Sequence, residues 1–364
     1  YIEKHPDQLI GDIYPAKGKD IIAGFIYRTP MMFEIDWYIK KILDKQKPDF
    51  AENLDKNNSL YPMYGSNVIA VGPKRSDDGH TRIAINTHQP WSGPVSWYEV
   101  HLHSEEGWNI SGGLFPGSPI VFIGHNKNMG WSHTVNDPDL VDIYELIINP
   151  DNDEQYLLDG KWKNFEKGIA PIKVKIWGPI NWTFKRELLW SIHGPVLKSD
   201  HGIYAIRYSG FNRVGQMEQW YKMNKSSTLS DFKTAMQMMQ IPMFNTAYAD
   251  KNGNLFYIYN GLIPKRVEGY NWNSILPGDR SELIWNDYYD FIDLPQITNP
   301  KSDFLQNCNS SPYLTSTFGN NPEKKLPNNT GIEEFQTNRA LRAIELFGKD
   351  TSISREEFYN YKYD

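Results

Sequence analysis

Cysteine is nearly absent from this chain. Cys308 is the only one in 364 residues, which rules out an internal disulfide framework. An excess of positive charge is missing too: 38 Lys and Arg stand against 44 Asp and Glu, and the net charge of −6 provides no basic stripe for a nucleic-acid partner. No apolar run approaches the roughly 18 residues of a bilayer span, so a membrane partner is not expected either. The sequence has no Pro/Gly/Ser-rich linker, no Gly-x-Ser-x-Gly elbow, no P-loop and no dinucleotide fingerprint. His101 and His103 share one strand face, but no third ligand accompanies them, so zinc is not expected.

Aromatic residues, by contrast, are plentiful at 14 %. They suit half-buried sheet surfaces and equally an apolar acyl pocket, so composition alone does not choose between them. Short β-type runs dominate between residues 67 and 208. The runs 68–71, 82–85, 98–102, 120–123 and 172–176 mostly have turn-forming residues close by, and the last alternates apolar with Lys. Helical spacing appears at 20–45, with an interruption at Pro30, and at 228–240, where Phe232, Ala235, Met236 and Met239 form one stripe and Asp231 completes a capping box with Thr228. Residues 332–347 and 354–361 also read as helices. Strands followed by helices predict an α+β fold.

The chemistry centres on Met63-Tyr64-Gly65-Ser66-Asn67-Val68. A lone Gly-Ser-Asn is ordinarily a turn, but here a series of blocks follows in order. They are Asn86-Thr87-His88-Gln89, Trp97-Tyr98-Glu99-Val100-His101-Leu102, Gly112-Gly113-Leu114-Phe115-Pro116-Gly117-Ser118-Pro119 and Gly130-Trp131-Ser132-His133-Thr134. Behind these stand His193-Gly194-Pro195-Val196, Phe244-Asn245-Thr246-Ala247-Tyr248-Ala249-Asp250, Pro264-Lys265-Arg266 and Asn307-Cys308-Asn309-Ser310-Ser311-Pro312. Together they resemble the penicillin acylase family of N-terminal nucleophile hydrolases over nearly the whole chain.

That resemblance implies a four-layer αββα sandwich and a precursor that cuts itself between Gly65 and Ser66. Ser66 then carries the nucleophilic hydroxyl, and its freed α-amine, with a reference pKa of roughly 7.7–8.0, serves as the base. By the same resemblance the backbone N–H of Val135 and the side-chain amide of Asn245 form the oxyanion hole. His88 is placed beside the nucleophile and holds its amine. Penicillin G acylases have Gln at the His88 position, so the chain is more similar to acyl-homoserine-lactone and lipopeptide acylases. Phe122 and Ser132 match acyl-pocket positions, and Arg266 matches a residue that orients the amine or the substrate. Gln89 stands where penicillin G acylases have an aromatic, which disfavours a phenylacetyl-shaped pocket. Asp139-Leu140-Val141-Asp142 resembles the family's calcium segment and Glu34 its small-subunit partner, implying one Ca2+ held by Glu34, Asp139, Val141 and Asp142, with no organic cofactor.

The expected organisation is therefore the end of a small subunit at 1–45, a spacer at 46–65 that closes on the scissile Gly65, and one nucleophile-hydrolase domain of the large subunit at 66–364. The two subunits would form a heterodimer acting on a small N-acyl substrate. The chain reads as an internal piece of a longer precursor whose signal peptide lies outside it, with a periplasmic or secreted location implied by the family. The rival activity is side-chain hydrolysis of penicillins or cephalosporins. The rival class is a binding homologue without catalysis, which the intact set Gly65, Ser66, His88 and Asn245 disfavours.

Overall fold

The computed structural model describes residues 17–30, 34–50, 65–93, 95–178, 180–317 and 319–364. Most of the expected spacer falls in 51–64, outside the described residues, as does the chain before residue 17. At the centre, two antiparallel sheets are stacked. The larger has seven strands in the order Gln296–Thr298, Leu255–Tyr259, Asn245–Asp250, Met129–Thr134, Ile123–His125, Trp108–Leu114 and Tyr98–Ser104. In the smaller, Gly65–Val71 lies between Phe304–Asn307 and Arg82–His88. The strand Gly65–Val71 packs across Met129–Thr134 and Asn245–Asp250 of the larger sheet, which buries six of its seven residues.

Each sheet carries a helical layer on its outer face. Helices Gln216–Lys225 and Leu229–Met236 cover the larger sheet, where Phe232 meets the rings of Trp131 and Tyr248. Asn338–Lys349 and Arg355–Lys362 cover the smaller one, with Phe347 stacked parallel to Phe304 and Phe358 against Phe347. The order helix, sheet, sheet, helix is the four-layer αββα sandwich expected from the resemblance. A separate six-stranded sheet of strands Glu166–Trp177, Ile180–Ser191, Gly194–Ser199, Gly202–Tyr208, Val141–Glu145 and Leu276–Pro277 flanks this core.

Local chemistry accounts for the element boundaries. The Thr228 hydroxyl accepts from Asp231 N–H, and the Asp231 carboxylate accepts from Thr228 N–H, both at 3.1 Å, so the predicted capping box is formed. The helix ends at Met236, short of the expected residue 240. Gln219 draws the following chain away by accepting from the N–H groups of Gln240 and Ile241 at 2.7 and 3.0 Å, and Met239 turns left-handed at φ 49°. The helix expected over 332–347 starts later, at Asn338, because Thr337 is its cap and Glu333 is held elsewhere, by Asp137 N–H and the Tyr259 hydroxyl. Residues 120–122 are buried but lie outside the strand that begins at Ile123, since Asn224 bonds both the N–H and the C=O of Val121 in place of a neighbouring strand. The 172–176 run does form a strand. Its apolar side nevertheless stays exposed, with Ile172, Val174, Ile176, Trp182 and Phe184 on the surface of a long hairpin.

Candidate active site

Ser66 is the second residue of Gly65–Val71 and is almost completely buried. On one side the strand pairs with Arg82–His88, setting Gly65 opposite His88 and Ser66 opposite Thr87. On the other side the partner strand ends at Asn307, opposite Val68 and two residues short of Ser66. Side chains complete that edge. Asn309, turned left-handed at φ 58°, accepts from the Ser66 N–H through Oδ1 at 2.6 Å. Arg339, in the first turn of Asn338–Lys349, donates to the Ser66 carbonyl at 2.9 Å, to Asn309 Oδ1 at 3.0 Å and to Asn67 Oδ1. In this continuous chain the Ser66 nitrogen is an amide.

Gly65 sits in a tight space here, without an unusual φ. A Cβ at that position would lie 2.9 Å from Arg339 Nη2, 3.1 Å from Asn309 Oδ1 and 3.2 Å from His88 Nδ1. Partial burial and the nearby Arg339 guanidinium both hold the His88 imidazole below its usual pKa, favouring the neutral ring.

Val135 and Asn245 meet because Asn245 pairs with Thr134, the last residue before Val135. The Asn245 amide is locked at both ends. Its Oδ1 accepts from the Tyr257 hydroxyl at 2.6 Å, while Nδ2 donates to Asn307 Oδ1 at 3.2 Å and lies 3.5 Å from the Val135 carbonyl. That carbonyl also accepts from Asn309 Nδ2 at 2.8 Å. Ser66, Asn309, Val135 and Asn245 thus belong to one hydrogen-bonded network, with His88 beside it. Of its members, Asn307 and Asn309 were visible in the sequence only as part of a matching block, and Tyr257 and Arg339 carried no signal at all.

Phe122 lies in an aromatic cluster, with ring centroids 4.6 Å from Trp220, 5.3 Å from Phe115 and 5.6 Å from Phe25 of helix Gly18–Arg28. Ser132 does not join it. Along Met129–Thr134 successive side chains alternate between faces, and it is His133 that meets Trp220 and Phe244. His133 accepts from Trp220 Nε1–H at 3.0 Å and bonds Thr246 Oγ1 at 2.9 Å, and burial lowers its pKa to about 4. It is therefore a neutral polar point on an aromatic wall. Gln89 is half-buried just after the strand Arg82–His88.

Arg266 departs from the expected substrate-orienting role. Its side chain is fully buried and donates to Asp142 Oδ2 at 3.1 Å, to Asp139 Oδ2 at 2.9 Å and to the Asn329 carbonyl at 3.1 Å, with its guanidinium over the Trp272 ring. Four of the five N–H groups of a guanidinium are thereby engaged within the fold. The carboxylates it touches are the expected calcium ligands. They share a neighbourhood with Glu34, the residue before helix Ile35–Ile42, because Tyr38 of that helix is pushed far above the usual phenol range by burial and by Asp139, Asp137, Asp142 and Glu34. Among the described residues no three His, Cys, Asp or Glu side chains are grouped as a metal cage. One observation still fits a cation: among the described residues, Asp142 Oδ1 is buried without a hydrogen-bond partner. Burial pushes the Asp142 carboxyl up even though Arg266 pulls the other way.

Two stacked antiparallel sheets between helical layers, with Ser66 near the head of an inner strand, define an α+β sandwich of the N-terminal nucleophile hydrolase type. The penicillin amidase family model matches residues 28–364, and the chain belongs to that family. Among curated proteins it is similar to an acyl-homoserine lactone acylase PvdQ of Pseudomonas fluorescens, 27 % identical over 74 % of this chain and 39 % of the relative. It is also similar to penicillin G acylase of Escherichia coli, 26 % identical over 72 % of this chain and 31 % of the relative. A thermostable penicillin G acylase from Alcaligenes faecalis shares the fold with a TM-score of 0.66 and 23 % identity, over 82 % of this chain and 52 % of that one. The chain thus spans less than half the length of these two curated relatives.

Proposed function

We propose that this chain carries the catalytic core of an amidohydrolase that cleaves the linear amide of N-acyl compounds through an acyl-enzyme on Ser66. The observation that supports the reading is the shared network of Ser66, Asn309, Val135 and Asn245, which ties the Ser66 N–H through Asn309 to the Val135 carbonyl and the Asn245 amide, the two residues expected to supply oxyanion donors. Maturation begins when the Ser66 hydroxyl attacks the Gly65 carbonyl. An N-to-O acyl shift and hydrolysis then release the Ser66 amine. Small and large subunits result and remain together as a heterodimer.

In turnover the amine takes the hydroxyl proton as Ser66 Oγ attacks the substrate carbonyl. The Asn245 amide and the Val135 N–H stabilise the developing oxyanion, and the proton is returned to the leaving amine. Water, activated by the same amine, then attacks the acyl-enzyme, releases the acid and restores Ser66. The neutral His88 imidazole orients the amine. A Ca2+ near Asp139, Asp142, the Val141 carbonyl and Glu34 would supply charge neutralisation where the two subunits meet, while Arg266 secures Asp142 from within.

The substrate class favoured is an acyl-homoserine lactone or a related N-acyl compound. Support comes from His88 at the end of the nucleophile strand's neighbour, from Gln89 just after it, and from the PvdQ similarity. Penicillin side-chain hydrolysis is the second reading, supported by the similarity to penicillin G acylase. Periplasmic or secreted location is part of the proposal. Intact-mass measurement gives the test: wild type should split before Ser66, and Ser66→Ala should remain one chain. A Ser66→Ala variant that still splits there would end the self-cleavage reading. Absence of turnover by split wild type on N-acyl lactones, lipopeptides and penicillins would favour a binding homologue.

A further inference from the structure

We propose that Arg339 is a positioning residue for the nucleophile, orienting the Ser66 nitrogen through Asn309 and keeping it uncharged once the chain is cut. This rests on the acylase reading above and adds a residue to it.

The guanidinium makes three contacts at the one edge of Gly65–Val71 that no strand covers: the Ser66 carbonyl at 2.9 Å, Asn67 Oδ1, and Asn309 Oδ1 at 3.0 Å. The last contact decides which way the Asn309 amide faces. With Arg339 donating to Oδ1, that oxygen also receives the Ser66 N–H at 2.6 Å, and Nδ2 is left to reach the Val135 carbonyl at 2.8 Å. One cation thereby sets an amide that links the nucleophile to the oxyanion strand. The frame beneath it is firm. Thr337 caps the helix by accepting from Ala340 N–H at 3.2 Å, and its hydroxyl donates to the Cys308 carbonyl at 2.9 Å, docking the helix start onto the turn that carries Asn309. When the Gly65–Ser66 bond is cut, the amide N–H becomes an amine. An acceptor that keeps hold of one N–H restricts where the lone pair can point, and a general base must aim its lone pair at the Ser66 hydroxyl.

The charge acts in the same direction. The titratable groups around the Ser66 nitrogen are His88 on the neighbouring strand, Cys308 beside Asn309, Tyr257 beneath Asn245, and Glu333, which acts on Tyr257. Burial and Arg339 hold His88 low; burial pushes the Cys308 thiol up to about 12 and the Tyr257 phenol well above its usual range. All three stay neutral near pH 7, so the guanidinium is the standing positive charge at this edge. A cation beside an ammonium disfavours the protonated form. The amine therefore becomes a competent base at lower pH than it would without Arg339.

The test uses the full chain, wild type and three variants, in two formats. One relies on self-cleavage. In the other, the large chain is co-expressed with Met before Ser66, which the host removes, so that turnover can be measured even where splitting fails. Arg339→Gln should move the acid limb of kcat/KM upward by roughly one pH unit. Arg339→Lys should leave that limb in place while kcat falls about tenfold, because charge remains but the fork is lost. Asn309→Leu should lower kcat by about 10–100-fold with KM nearly unchanged. The proposal is overturned if Arg339→Gln keeps the wild-type limb and kcat. It is also overturned if Lys and Gln variants lose activity equally with unshifted limbs, since that is the signature of a purely structural role. If wild type neither splits nor hydrolyses any N-acyl substrate, the acylase reading fails and takes this proposal with it. Active wild type with unaltered variants removes this proposal alone.

Discussion

Tyr257→Phe deletes a single oxygen from the network behind the proposed oxyanion hole, and the structure allows its consequences to be worked out. The hydroxyl donates to Asn245 Oδ1 at 2.6 Å and accepts from Asn307 Nδ2 at 3.3 Å, and all three residues are essentially without solvent exposure. Phenylalanine keeps the ring and its packing, so no large cavity forms. What is lost is the donor to a buried acceptor, which costs about 1–3 kcal/mol when no replacement is at hand. The longer contact to Asn307 adds little, so the expected destabilisation is about 2 kcal/mol. The kinetic effect follows from orientation. Removing an oxyanion donor outright, as in Asn245→Ala, should lower kcat by roughly 10²–10³-fold. Tyr257→Phe leaves the donor in place but frees its amide to rotate, so a smaller loss, about tenfold, is expected, equivalent to about 1.4 kcal/mol of barrier. Burial holds the phenol protonated, so the effect should not vary with pH in the neutral range. The assay is a double-mutant cycle on one N-acyl substrate, accompanied by denaturant unfolding of each variant. If Tyr257 acts by holding Asn245, the Phe change should cost almost nothing further in kcat once Asn245 is Ala. Losses that simply multiply would show that the two residues act independently and would refute the argument.

Two other outcomes are expected. Chelation of wild-type protein should lower its melting temperature and added Ca2+ should restore it, since a ligand that binds only the folded state stabilises it by mass action; Asp142→Asn should blunt the response, and unchanged melting with no metal by elemental analysis would remove the ion from the proposal. Glu333, whose carboxyl burial raises from 4.5 to about 7, contributes stability that is fully present below pH 4.5 and is lost as pH rises through 7. Glu333→Gln should cancel that loss, worth about 3 kcal/mol at most; a variant whose stability still falls between pH 4.5 and 7 as steeply as wild type would place the titration elsewhere.

Some of this protein was settled by short-range sequence. Thr228 with Asp231 and Ser354 with Glu357 mark helix starts because the reciprocal bonds join residues three apart, a distance the sequence displays directly. A resemblance singled out Ser66, Val135 and Asn245, and the structure brings them into one hydrogen-bonded network. What the sequence could not display depends on faces and on distant partners. Ser132 and His133 are neighbours in the chain, and only the packing of the larger sheet against Trp220 decides that His133 faces the aromatic cluster. Arg266 was expected to orient the amine or the substrate, and the fold instead buries it between Asp139 and Asp142. Arg339 lies 273 residues from Ser66 and Asn309 lies 243 away, and no local pattern reports such a contact. The strand Phe304–Asn307 ends too early to pair with Ser66, so the backbone groups left at that edge had to be met by side chains. Buried polar groups require partners, and only the tertiary structure could decide which residues, from which end of the chain, would supply them.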